Sequence, residues 1–105
     1  MRALVIGAMV VGTASSAAAD RDLCALGTRF RGEPLDLSVK GADIREVFRL
    51  LADVGRVNLV VGDQVEGKVT VQLKRVPWDQ IACTVAAVHK LRILVDDTIL
   101  MVSKR

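Results

Sequence analysis

The residues of this chain that could carry chemistry are His89, the cysteines Cys24 and Cys83, and the carboxylates Asp63, Glu66, Asp96 and Asp97. Their spacing does not assemble a reaction centre. A metal site needs several convergent ligands, and an activated nucleophile needs a base beside it. His89 stands alone, at the end of a helical pattern where an imidazole can meet the last carbonyls. Gly62 to Gly67 carries Asp63 and Glu66 but lacks the alternating oxygen ligands of an EF-hand loop. Asp96-Asp97 reads as a solvated turn, and there is neither a Walker motif nor a dinucleotide fingerprint. The pattern implies no enzyme, no cofactor and no metal.

The chain has 105 residues and a formal net charge of +3, with basic and acidic residues interleaved. Such interleaving describes a solvated surface. Phe30, Phe48 and Trp78 are the whole aromatic complement, which is poor material for stacking nucleic-acid bases or sugar rings. Arg2 followed by the apolar run Ala3 to Val11 and by Ala17-Ala18-Ala19 reads as a secretory signal peptide over residues 1–19, with cleavage before Asp20. The competing reading, an uncleaved anchor, has against it that the apolar run is too short to span a bilayer. In an exported protein a single even pair of cysteines implies one disulfide, Cys24 to Cys83. The pair lacks the CxxC spacing of a redox centre.

The elements that position these residues follow from periodicity. Residues 20–33 read as an irregular leader and residues 34–105 as the folded domain. Leu35, Leu37 and Val39 alternate with Asp36, Ser38 and Lys40, predicting a first strand. A helix is expected over residues 42–54, with Ile44, Val47, Phe48, Leu51 and Val54 on one face. Asp43 and Glu46 have capping-box spacing, Gly41 is an equally good cap, and Gly55 is placed to end the helix in a left-handed conformation. Residues 57–61 predict a short buried strand and residues 67–74 a third, in which Val69, Val71 and Leu73 alternate with Thr70, Gln72 and Lys74. A second helix is expected from Pro77 to about Lys90, and residues 91–95 and 99–102 form a closing hairpin around Asp96-Asp97. The result is an α+β chain of βαββαββ order.

The junction Val76-Pro77-Trp78-Asp79-Gln80 is the most distinctive text. Pro77 suits a first helical position, and Asp79 lies in the first turn at the positive end of the helix dipole. Trp78 reads as a half-buried core residue in preference to an exposed binding anchor. For contacts with a partner, two surfaces stand out. One is a strand edge, from the third strand with Thr70 and Gln72 or from the closing hairpin with Leu100 and Met101. The other is the polar face of the first helix around Arg45 and Arg49, whose bland reading is a charged solvent face with Glu46 and Asp53.

Residues 35–102 resemble the secretin and TonB N-terminal short domain, in the version found in type IV pilus secretins. The resemblance is carried by the text from Leu35 to Leu51, by Asn58-Leu59-Val60-Val61, by Gly67 to Leu73 and by Val76 to Gln80, in the family's order and spacing. It implies a fold in which two helices pack between two small β-sheets. It also implies a periplasmic role in which the domain contacts proteins and performs no chemistry. The departures are Gly55-Arg56 where the family has a small polar residue and then Gly, Asp96-Asp97-Thr98 in the closing turn, and Cys83 at a position usually held by another helix residue. The latter fits a local disulfide.

The expectation is therefore an exported interaction module, accessory to or derived from a secretin-type secretion or type IV pilus system, with a protein partner such as a secretin or an inner-membrane assembly component. Homo-oligomer formation stays open, and association with the outer membrane would come through the partner. No barrel or ring-building domain follows residue 105 in this sequence, so the expectation is an adaptor or a detached piece of a larger system. Two alternatives remain. One is a signalling domain of TonB-dependent transducer type that contacts an anti-sigma regulator. The other is a small cell-wall or glycan binder.

Overall fold

The computed structural model describes residues 20–105, Asp20 through its backbone alone, and the signal peptide expected over residues 1–19 lies outside them. The chain runs β1 (Asp20–Asp22), β2 (Pro34–Asp43), α1 (Ile44–Gly55), β3 (Asn58–Val61), β4 (Lys68–Pro77), α2 (Trp78–His89), β5 (Leu91–Asp96) and β6 (Ile99–Lys104). The two helices pack on each other and between two sheets. One sheet has four strands in the order β1-β5-β6-β3, and the other is the β2-β4 ribbon. The α+β architecture expected from the sequence is the one observed.

Hydrophobic periodicity explains the helices. Ile44, Val47, Phe48, Leu51 and Ala52 of α1 are buried, as are Ile81, Ala82, Val85 and Ala86 of α2. They meet the inward residues of both sheets, among them Leu37 and Val69 from the ribbon and Ile93, Leu100 and Val102 from the larger sheet. Asp43 caps α1, accepting a hydrogen bond from the Arg45 backbone N–H at 2.9 Å.

Several boundaries differ from the sequence expectation, each for a local reason. The left-handed residue that ends α1 is Arg56 (φ 57°), not Gly55. Lys90 (φ 59°) ends α2 in the same way. Both caps carry a cation at the negative end of a helix dipole, which offsets part of the cost of a left-handed side-chain-bearing residue. Pro77 is the residue before α2, not its first helical residue; it closes β4 opposite Pro34.

The segment 20–33 is not wholly irregular. β1 pairs antiparallel with β5, Asp22 opposite Leu94, and adds an edge to the larger sheet. Beyond it the buried Leu23 donates its N–H to the Ile93 carbonyl at 2.9 Å. A three-residue strand carries too little pattern to be read before its partner is known.

The closing hairpin is not a sheet edge. β6 lies between β5 and β3, antiparallel to the first and parallel to the second. Leu100 is 1% exposed and belongs to the core. The strand edge expected at Leu100 and Met101 is therefore not one, and a proline at either would remove ladder bonds that a central strand makes on both sides.

Candidate interaction surfaces

The junction motif builds a clamp. Trp78 begins α2, and its backbone N–H donates to the Glu33 carbonyl at 3.1 Å. Its indole lies against two glycines from distant parts of the chain. A Cβ on Gly32 would stand 2.4 Å from the indole Cδ1, and one on Gly55 would stand 2.4 Å from Cε2. No real side chain tolerates such distances, so glycine at both positions lets backbone approach the ring. Asp79 is buried and receives the backbone N–H groups of Arg31, Gly32 and Gln80 at 3.3, 3.2 and 3.1 Å. Val76-Pro77-Trp78-Asp79-Gln80 thus pins residues 31–33 and the end of α1 onto the start of α2. Trp78 is a packed, half-buried residue and presents no free anchor.

The polar face of α1 divides into two kinds of arginine. Arg45 turns inward over the 62–67 loop, donating from Nε to the Val65 carbonyl at 3.1 Å and from Nη2 to the Gly62 carbonyl at 2.8 Å. These bonds hold a loop whose Val65 is fully buried. Arg49 stays in solvent and meets Glu46 at 3.4 Å, an exposed pair of small energetic weight. Arg45 and Arg49 are therefore neighbours on the helix without forming a shared docking pair.

The ribbon keeps its outward residues available. Ser38, Lys40, Thr70 and Gln72 are exposed on the face away from the helices. The β2-β4 register slips between Val39 and Ala42, and the Gly41 N–H (φ 62°) there donates to the Thr70 hydroxyl at 2.9 Å. A shallow groove lined by Ser38, Val39, Thr70, Val71 and Gln72 opens at this bulge. Among the described residues the ribbon has two strands, so β2 and β4 each present one unpaired edge there, and β4 adds the exposed cations Lys68, Lys74 and Arg75.

The outer face of the larger sheet carries a feature that strand periodicity alone did not reveal. Val60 of β3 stands beside Met101 of β6, which stands beside Leu94 of β5. The cross-strand register makes an apolar row from three residues separated in sequence. Of the sequence-selected residues, Met101 lies in this row and Leu100 points to the opposite, buried side.

Cys24 and Cys83 form a disulfide that joins the turn after β1 to α2. Among the described residues no group of three or more His, Cys, Asp or Glu side chains converges on a metal position. None of their helices is long and apolar enough to cross a membrane.

No family model matches the chain. Over 51 residues, 49% of its length, the chain is 45% identical to the fimbrial assembly protein PilQ of Pseudomonas aeruginosa. Over a stretch of the same length it is 41% identical to the type IV pilus biogenesis and competence protein PilQ of Neisseria gonorrhoeae. The match spans 7% of the length of each of these relatives. The fold is similar to the N0 domain of the type II secretin from enterotoxigenic Escherichia coli, with a TM-score of 0.63 and 14% sequence identity over 70% of this chain and 96% of that one.

Proposed function

For a chain that carries a secretin N-terminal domain, we propose a role as a periplasmic protein–protein interaction module of a secretin-type secretion or type IV pilus system. The observation that carries this reading is the β2-β4 ribbon. It offers two unpaired strand edges, and β4 has a cationic flank in Lys68, Lys74 and Arg75. An extended segment of a partner can add to such an edge through main-chain hydrogen bonds and take specificity from alternate side chains. The outward residues Thr70 and Gln72 would face that segment's side chains. A partner strand with carboxylates would complement the cations and associate faster at low salt. Arg49 is a secondary contact, because its side chain is free to leave Glu46. The reading asks no catalysis of the domain and no small-molecule ligand.

The test is cross-linking in intact periplasm followed by mass spectrometry of what is captured. The expected result is a secretin or an inner-membrane assembly component. A Lys68→Glu, Lys74→Glu variant should fold normally and lose about tenfold or more of that capture. Capture of a membrane-bound signalling regulator instead would move the domain to transducer signalling. Capture of peptidoglycan alone would leave it with a secretin fold and a different role.

A further inference from the structure

The unpaired strands of the two sheets differ in what each would present to a second copy of itself. β1 reads Asp20-Arg21-Asp22 and β2 carries Asp36, Lys40 and Asp43. β4 carries Lys68, Lys74 and Arg75, so two β4 edges side by side would gather like charge. β3 is unlike these. From Val57 to Gly62 it has no charged residue and no proline, and its register with β6 runs without a bulge. Charge, proline and bulges are among the devices by which natural sheets protect an edge, and β3 has none of these, its shortness at four residues being its one protection.

The edge also interrupts an apolar surface. Val60 is 54% exposed and continues the row Leu94–Met101–Val60 to the rim of the sheet, where the row stops without cover among the described residues. Ile99, 36% exposed, adjoins the row on the same face.

The residues that flank β3 have opposite signs. Arg56 precedes it and Asp63 follows it; both are exposed, and neither forms an ion pair among the described residues. An antiparallel pairing about a two-fold axis brings the start of one strand beside the end of the other.

We propose that β3 is a self-association edge, pairing antiparallel with β3 of a second copy about a two-fold axis centred on Val60. Because side chains alternate with period two, this centre preserves the faces of both sheets. Val60 meets Val60 of the second copy, Leu59 meets Val61, and the apolar row runs unbroken from one molecule to the other. Arg56 of each copy falls opposite Gln64 of the other, one residue along from Asp63, so two symmetry-related pairs of opposite charge flank the contact. That flanking complementarity favours a second copy of this chain over a strand without opposite charges at its two ends. The surface is small, so the dimer is weak and concentration-dependent. It leaves the ribbon on the other sheet free for the interaction proposed above, and it stands or falls independently of that reading.

Sedimentation equilibrium of the full chain over a wide concentration range tests the proposal, with circular dichroism to confirm that each variant is folded. The wild type is expected to dimerise. Val60→Lys, at a solvent-facing position, is expected to be monomeric. Arg56→Asp and Asp63→Arg are each expected to weaken self-association by about tenfold or more, since each replaces two attractions with two repulsions. An equimolar mixture of these two variants should recover a dimer containing one of each. A wild type that stays monomeric at every concentration would overturn the proposal. So would a dimer indifferent to Val60→Lys, or folded charge variants whose mixture fails to associate.

Discussion

Gly55 receives opposite instructions from its helix and from its neighbours. Within α1, alanine is the better helix former by about 1 kcal/mol, and helix propensity alone makes Gly55→Ala stabilising. The tertiary contact reverses the sign, because the added Cβ would lie 2.4 Å from the Trp78 ring. We expect Gly55→Ala to destabilise the fold by about 1–3 kcal/mol, the usual range for overpacking, read from urea denaturation at constant m-value. A more stable variant would mean that the indole moves aside without cost. The same junction marks how far single residues were legible. Asp79 was readable as a first-turn carboxylate, and Trp78 as a half-buried side chain. The N–H donors that Asp79 accepts, on Arg31 and Gly32, lie 48 and 47 residues away, and no local pattern records them. Gly55 was readable as a helix stop by composition, yet the left-handed residue is its neighbour Arg56.

At the scale of elements, the helices and strands were found by period, but their neighbours were not. The hairpin β5-β6 follows from a short turn. That β6 also accepts β3 on its other side depends on the crossover through β4, α2 and β5, which sequence periodicity does not specify. Composition does not separate the two cases: Ile99-Leu100-Met101-Val102 of the central β6 and Leu59-Val60-Val61 of the edge strand β3 are both continuously apolar. Leu100→Pro, in a strand bonded on both sides, is expected to weaken the larger sheet. The lost ladder bond leaves a buried carbonyl without its donor at a cost of about 1–3 kcal/mol, a large share of the stability of a small domain, read as a lowered thermal transition. A folded variant with a near-native melting curve would contradict the central position of β6. β1 was missed for the complementary reason, since three residues at an edge carry no period and gain their identity only from β5.

For the whole molecule, residues 20–33 act as a strap around the domain. It is tied by the β1-β5 pairing, by Leu23 in the core, by the Cys24–Cys83 disulfide and by the Asp79 carboxylate. The cysteines are 59 residues apart, and closing so long a loop limits the unfolded chain by about 4 kcal/mol in the entropy model. Replacing both with serine should lower stability by about 2–4 kcal/mol, measured by denaturation of the oxidised protein and of the double variant in the same buffer. An unchanged midpoint would show that the remaining ties suffice. In so small a domain that margin is a large part of the total.

The sequence by itself determined the α+β class, the two amphipathic helices, the alternating strands and the pairing of its two cysteines, because each depends on local period or on a count. It also carried the resemblance to a secretin N-terminal domain, through the stretches Leu35 to Leu51, Asn58 to Val61, Gly67 to Leu73 and Val76 to Gln80. Only the tertiary structure decided which strands are edges, which arginine is free, and that Val60, Met101 and Leu94 form one row. These are properties of register and strand order, which arise when distant segments share a core and a hydrogen-bond ladder. They determine which surfaces remain to meet another molecule.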